Sequence, residues 1–432
     1  MPLNRSVVAA AALFLAGNPV HGYYEGNSTA KLDRFAFGSC NDQAKHQMLW
    51  PVITAKHPQL WLWLGDNIYG DIRVWDTATL SKGVFRPAPP DVLAAKYKQQ
   101  LAHPDYSRFR QTFPIIGIWD DHDYGINDGD NHYQYRKESQ QLFLDFLDEP
   151  KNSPRRHQEG IYTSYTYGSG VTSVKFILLD NRYHRDPYGT EFGDFLGQAQ
   201  WTWLEHELMT STATFNIVAA GIQVLPDDRW HKIGESWSKF PKARARLLSL
   251  IQSSRASGVI LLSGDVHFAE INQVRCGDAY NLTEISSSGM THAWKLMRGV
   301  IGPAFTLANM ILPWHFRVDP HQYYGSYNFG DVAFDWSKSP PTAAASVYGK
   351  DGLLKLQQVV QADRYSGDGP VACGPIHAVY PTYFLFLRVF VVAVILAFIA
   401  SVLVNAIVLV VVPLQLVWRL FAFLRHPKLK SS

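Results

Sequence analysis

Residues 60–71 read LWLWLGDNIYGD. Leu60–Leu64 is a short apolar run that predicts a strand, and Gly65-Asp66 halts it with a turn pair. The same plan recurs elsewhere, with strands expected at Arg34–Gly38, Ile115–Trp119 and Val259–Leu262. Residues 34–42 read RFAFGSCND, residues 115–128 read IIGIWDDHDYGIND, and residues 259–267 read VILLSGDVH. Further strands are expected at Ile161–Tyr167, Val174–Leu179, Phe215–Ala220 and Glu270–Arg275. Two short ones are expected near Tyr327–Trp336 and Leu353–Val360. Helical patterns fall between them at Ala44–Lys56, Asp91–His103, Tyr133–Leu147, Gln198–Met209 and Lys242–Ser253. Strands alternating with helices predict an α/β fold. Residues 72–90, with Pro87, Pro89 and Pro90, read as a loop.

The residues just past each strand carry the chemistry. The first run ends in Ser39-Cys40-Asn41-Asp42 and the second in Asp66-Asn67-Ile68-Tyr69-Gly70-Asp71. The third ends in Asp120-Asp121-His122-Asp123, with Asn127 just beyond, and the last in Asp265-Val266-His267. Singly, each has a plain reading: a Gly-Asp turn, a packed cysteine, an aspartate capping a helix. Ligands of open α/β sheets gather outside the carboxyl ends of strands, so convergence would bring all four together. Packed carboxylates repel unless a cation neutralises them. A dinuclear metal site is the economical expectation.

Charged residues make up 18% of the 432-residue chain, against ~25% in typical soluble domains. The ends explain the shortage. Residues 1–22 place Arg5 ahead of the apolar run Val7–Ala16, with small residues after it, which is a signal-peptide plan. Val389–Val412 is 24 residues long with Ser401 and Asn405 its polar members. At ~1.5 Å per residue it reaches about 36 Å, enough to cross a bilayer. Arg419, Arg425, Lys428 and Lys430 lie beyond it and place the C-terminus in the cytosol. Leu414–Leu424 either continues the span or lies in the interface after Pro413. The lysines third and fifth from the end match a dilysine retrieval signal of endoplasmic-reticulum membrane proteins, or are simply a basic tail. The expected organisation is a signal peptide (1–22), a catalytic domain (31–361), a stalk (362–383), a transmembrane anchor (384–412) and a cytosolic tail (413–432). Residues 290–325 suggest a helical hairpin or a segment dipping into the membrane. A formal charge of +3 is too mild to argue for nucleic-acid binding. There is no G-x-S-x-G elbow, P-loop or G-x-G-x-x-G.

In their order, GSC, GDNIYGD, WDDHDYGIND and GDVH resemble the alkaline phosphatase D (PhoD-like) family of metallophosphoesterases. Leu179-Asp180-Asn181-Arg182-Tyr183 and Gly197-Gln198-Ala199-Gln200-Trp201 support the likeness. It runs from about Phe35 to Glu284 and more weakly to about Val360. The resemblance implies a four-layer α/β/β/α sandwich and a site holding Fe3+ and Ca2+. Carried over, Cys40, Asp66, Tyr69 and His267 would hold the iron. Asp66 would bridge to calcium, held also by Asn127 and Asp265. Thiolate and phenolate suit a ferric ion, and all-oxygen ligands suit calcium. The bacterial prototype carries an N-terminal β-domain ahead of its GSC strand; here that strand follows the leader directly. The D-x-H, G-N-H-D/E and G-H-x-H motifs of other metallophosphoesterases are replaced, so their metals are not assumed.

The expected reaction is hydrolysis of a phosphoric monoester or diester, lipid- or glycolipid-linked given the anchor. A hydroxide shared by two cations would attack phosphorus without a covalent phosphoenzyme. Arg182 would steady the equatorial oxygens, and Arg185 and His231 would contact substrate. His122 would protonate the leaving alkoxide, while Asp120, Asp121 and Asp123 orient the ligands. The alternative is an inactive, membrane-tethered scaffold on the same fold. With Cys40 assigned to metal, Cys276 and Cys373 remain, and an oxidising lumen would let them pair. Sequons stand at Asn27-Ser28-Thr29 and Asn281-Leu282-Thr283.

Overall fold

The structure is a computed structural model. It describes residues 28–76, 81–227, 234–277, 280–296, 302–303, 306–307, 315–319, 322–376 and 382–425. The signal peptide, Asn27 of the first sequon, most of residues 297–321 and the final basic tail (426–432) lie outside the described residues. Residues 1–306 and 314–378 form one unit, and residues 307–313 with 379–432 form another.

In chain order the strands are β1 (Arg34–Gly38), β2 (Trp61–Leu64), β3 (Ile72–Asp76), β4 (Ser81–Arg86), β5 (Ile115–Ile118), β6 (Thr163–Tyr167), β7 (Val174–Leu178) and β8 (Phe215–Ala220). They continue with β9 (Val259–Ser263), β10 (Ala269–Cys276), β11 (Tyr280–Ser287), β12 (Tyr323–Tyr324), β13 (Asn328–Asp335), β14 (Thr342–Gly349), β15 (Leu354–Gln361) and β16 (Cys373–Pro375). One sheet runs β15-β14-β13-β1-β2-β5, and a second runs β12-β10-β11-β9-β8-β7-β6 with β16 on β10. Within the first, β1, β2 and β5 are parallel. Within the second, β7, β8, β9 and β11 are parallel. One apolar core joins the two sheets. Phe35 of β1 meets Phe176 of β7 edge-on, centroids 4.9 Å apart. Phe215 of β8 meets Phe334 of β13 at 5.1 Å. The chain is thus a mixed α/β fold, as the alternating pattern predicts.

Proline shapes the helices. Pro90, Pro104 and Pro241 open α2 (Pro90–Leu101), α3 (Pro104–Thr112) and α7 (Pro241–Ser254), with α4 (Asp121–Tyr124), α5 (Arg136–Phe146) and α6 (Gly197–Met209) between the last two. There the missing N–H costs nothing. Pro51 explains why the helix expected over Ala44–Lys56 shrinks to α1 (Trp50–Thr54): proline starts a helix but does not sit in its middle. The expected loop over 72–90 instead contains the β3–β4 hairpin. Three elements carry no clear sequence signal. The α3 stretch is mostly polar, with Tyr106 and Phe109 its buried residues; β14 is small and weakly patterned. In β11 the polar side chains from Thr283 onward are buried: Glu284 accepts the backbone N–H of Val224 and Leu225, each at 2.8 Å, and Ser286 bonds Ser263.

Residues expected to form a stalk lie partly along the sheet. β16 pairs with β10, and Cys373 is disulfide-bonded to Cys276 across 97 residues of chain. This is the pairing expected from the cysteine count. Replacing both by serine removes the restraint that closes this loop in the unfolded chain. The expected loss is about 2–5 kcal/mol, read as a lower Tm of the full chain in detergent under non-reducing conditions.

Asp331 of β13 is buried beside Arg34, which sits 3.4 Å away, and its Oδ2 has no partner. Burial lifts its carboxyl to about 6. A folded value above the unfolded one favours folding at low pH, and that support is lost as pH rises through 6. Asp331→Asn should therefore stabilise the fold by about 1–3 kcal/mol at pH 8 and make no difference below pH ~4. Thermal unfolding at the two pH values checks this.

The second unit contains α8, Thr382–Arg425, 44 residues with Pro413 inside it. Val389–Phe421 is long and apolar enough to cross a membrane, by length and composition alone.

Candidate metal centre

The carboxyl ends of β1, β2, β5, β9 and β11 come together. Asn41 N–H donates to the Asp66 carbonyl at 2.8 Å, and Thr291 N–H to that of Cys40 at 3.2 Å. Ser39 donates to the Ser287 carbonyl at 3.1 Å. The turns that do this are sharp. Cys40, Asp66, Asp265 and His267 all have positive φ, at 60, 51, 66 and 59°. Non-glycine residues rarely adopt this region, and it costs free energy that the surroundings must supply. Gly65 (φ +91°) shows how close the approach is: a Cβ there would lie 2.5 Å from that of Asp120.

Asp66 is the hub. Its Oδ2 accepts from Cys40 Sγ at 3.3 Å and from Tyr69 Oη at 3.3 Å. Tyr69 Oη also lies 3.4 Å from His267 Nε2. Cys40, Asp66 and His267 could each place one ligand atom on a common ion. So could Asp66, Asp121 and His122, and so could Asp121, Asp128 and Glu235. The structure therefore brings Cys40, Asp66, Tyr69 and His267 together, as their motifs suggested. Asp265 lines a cavity beside His267. Asn127 is half-buried, its backbone N–H donating to Asp71 at 3.2 Å. His231 lies outside the described residues.

The electrostatics are those of a site short of positive charge. Burial pushes the Cys40 thiol up to about 12 and raises the Tyr69 phenol. Burial, then the neighbouring Cys40 and Asp121, raises Asp66. Burial and Glu235 raise Asp265. Burial, then His122, holds His267 down to about 3. Burial alone would lower His122, but Asp121 and Asp71 outweigh it and lift it to about 9. Protons thus stand where cations would, the competition that makes metal binding release protons. Two buried atoms test the fit. Asp66 Oδ1 and His267 Nδ1 have no hydrogen-bond partner, which is costly unless something else fills the role. A carboxylate, a thiol, a phenol and an imidazole facing one point, with these atoms unspent, fit metal ions.

The aspartates after β5 divide their work. Asp123 accepts from Asn67 Nδ2 at 2.6 Å and from the backbone N–H of Asp66, Asn67 and Asp120, so it fixes the Asp66 turn. Asp121 belongs to two of the candidate ion groups, closer to the centre than an orienting role implies. Asp120 is held by Arg182, whose Nε donates at 2.7 Å.

The arginines are placed otherwise than their sequence positions suggest. Arg182 is wholly buried, with Nη1 and Nη2 on Glu235 at 2.9 and 2.7 Å. Arg185 is buried too, donating to the carbonyls of Gly129, Asp186 and Asp128 and lying over the Tyr188 ring. Both guanidiniums hold the protein together; the buried carboxylates and loop carbonyls around them claim donors that were expected to meet substrate. His122 Nδ1 lies 2.9 Å from Asp71 Oδ2, and its ring lies 4.1 Å from that of Tyr69.

Sequence reasoning missed Asp71, Asp128, Glu235 and His292. Asp71 and Asp128 close the GDNIYGD and GIND strings and were legible there. His292 lies 4.4 Å from His267 and 4.8 Å from Tyr69 between ring centroids. It comes just after β11, the strand that polar residues concealed. Glu235 had no local signal beyond its loop.

A sequence model described as PhoD-like phosphatase matches residues 35–301, more than half of the chain. Alkaline phosphatase D of Bacillus subtilis (strain 168) is 25% identical over 300 residues, covering 57% of this chain and 49% of that protein. The chain thus spans about half the length of that curated relative. A solved structure of PhoD superposes with a TM-score of 0.54 at 17% identity, covering 80% of this chain and 74% of the other. Purple acid phosphatase PPD1 from yellow lupin (Lupinus luteus) seeds gives 0.51 at 12% identity, covering 77% and 54%. At these identities the two structures show a shared fold. The family match over more than half of the chain means that the chain belongs to the PhoD-like phosphatase family.

Proposed function

We propose that this chain is a membrane-anchored, metal-dependent phosphoric ester hydrolase acting on a phosphomonoester or phosphodiester. The observation that carries it is the convergence of Cys40, Asp66, Tyr69 and His267 with unspent buried ligand atoms. Cys40, Asp66, Tyr69 and His267 would hold Fe3+, which anionic thiolate and phenolate donors suit, and Asp66, Asn127 and Asp265 would hold Ca2+, which oxygen donors suit. When bound, the cations would activate water and neutralise the phosphoryl oxygens. His122, its Nδ1 hydrogen-bonded to Asp71, would supply the proton for the leaving alkoxide. Asp123 holds the Asp66 turn, and Arg182 holds Asp120 and Glu235, so both act by position. The contacts of Phe35 and Phe215 across the two sheets support reading the fold as a four-layer α/β/β/α sandwich. The apolar length of α8 supports a single span, and the Cys276–Cys373 disulfide supports a lumenal, secretory-pathway domain, with the endoplasmic reticulum suggested by the terminal lysines.

The test uses the full chain in detergent. Bound metals are measured, and hydrolysis of p-nitrophenyl phosphate and bis(p-nitrophenyl) phosphate is followed before and after chelation. Metal-dependent turnover of either is expected. A metal-loaded protein inert to both would leave the scaffold reading.

A further inference from the structure

We infer that Trp294 is the specificity-determining residue of a subsite for the alcohol side of the ester, and that this subsite takes a polyhydroxylated ring such as a sugar. The inference rests on the phosphoesterase reading and names its substrate class.

A cavity of about 200 Å³ opens beside the metal centre, lined by Asp128, Glu235, Asp265, Val266, His267 and Trp294. It is smaller than the roughly 300–1,000 Å³ of pockets that engulf whole ligands, so it suits one ring and leaves the rest of a substrate outside. Asp265 and His267 connect it to the centre, which puts that ring next to the ester oxygen.

Its lining has two characters. Val266 and Trp294 pack together as the apolar part. The indole is pinned: its N–H donates to the Val266 carbonyl at 2.7 Å, and the Trp294 backbone N–H to that of His267 at 3.1 Å. The ring lies 6.2 Å from that of His267 and stays half-buried. A rigid indole bordering a small cavity is a platform for the C–H face of a ring. Asp128 and Glu235 supply the polar part, and carboxylates only accept hydrogen bonds. An organic cation would also suit an indole and two acids. The pairing of Glu235 argues against it: the two terminal guanidinium nitrogens of Arg182 and the Tyr188 hydroxyl, at 2.6 Å, already bind it. Three donors already hold its two oxygens, which leaves acceptor capacity for a hydroxyl rather than a free carboxylate for a cation.

The experiment compares glucose 1-phosphate with glycerol 1-phosphate on the full chain and on Trp294→Ala and Trp294→Phe. Trp294→Ala should lower kcat/KM for glucose 1-phosphate about tenfold or more, mainly through KM, and change glycerol 1-phosphate less than about twofold. Trp294→Phe, which keeps an aromatic face, should retain most of the preference. Equal losses on both esters would mark a structural role and overturn the inference, as would no loss. If the wild type hydrolyses neither, the phosphoesterase reading fails for these esters, and calorimetric binding of the same two probes decides the subsite. A preference for glucose 1-phosphate that Trp294→Ala abolishes supports it; no preference overturns it. Tighter binding of choline phosphate than of glucose 1-phosphate would also overturn it, by assigning the subsite to a cation.

Discussion

Asp66→Ala is expected to reduce ester hydrolysis by at least ~10³-fold, about 4 kcal/mol of transition-state stabilisation, and to lower the bound metal. The Asp66 side chain meets two other candidate ligands at once. One carboxylate oxygen faces both Cys40 and Tyr69, and the other is buried without a partner. Its removal would therefore take away two contacts to candidate ligands and a buried, unspent ligand atom at once. Stability supplies a second readout with a distinctive sign. Without metal, Asp66 is a buried acid pressed by Cys40, Asp121, Asp120 and Asp123. Losing it should cost the metal-free protein little. Chelation should thus lower the Tm of the wild type and barely move that of Asp66→Ala, because only the wild type loses a bound cation that stabilises the native state. An Asp66→Ala protein with full metal content and full activity would refute the assigned centre. Asp123→Asn is the graded control. It disturbs the turn that carries Asp66 without removing a ligand, and a 10–100-fold loss is expected.

The fold was legible where burial is apolar on both sides. β1 and β8 were read to their last residues, and β2, β5, β7 and β9 within one, because parallel strands covered on both faces spell themselves as apolar runs. β11 shares that burial but spends it on polar pairs, so Glu284 and the serines around it hid the strand and, with it, His292. The centre itself was legible for a related reason. A strand that must end abruptly, in residues that turn into the left-handed region, shows as an apolar run cut by Gly-Asp or Gly-Ser-Cys. Arg182, Arg185 and Glu235 show the limit. Their types were apparent, but whether a cation meets a phosphate or a buried acid depends on partners 53 or more residues away, as the Arg182–Glu235 pair does.

That pair leads to the second large effect. Arg182→Ala should destabilise the fold by about 3–5 kcal/mol, because it leaves Asp120 and Glu235 buried without their counter-charge. Arg182 has 0% of its side chain exposed and Asp120 likewise, so water cannot take over. Arg182→Lys should recover less than half, since a single ammonium cannot span the two edges that Nε, Nη1 and Nη2 cover. The kinetic signature separates clamp from substrate contact. A guanidinium that touches the phosphoryl group would, when removed, cut kcat/KM in a folded protein of nearly normal Tm. A clamp would, when removed, lower Tm first and loosen metal through Asp120 and Glu235, with activity returning as metal concentration is raised. Excess metal should therefore restore much of the Arg182→Ala activity at low temperature. Failure of that rescue in a variant whose Tm is unchanged would return Arg182 to the substrate.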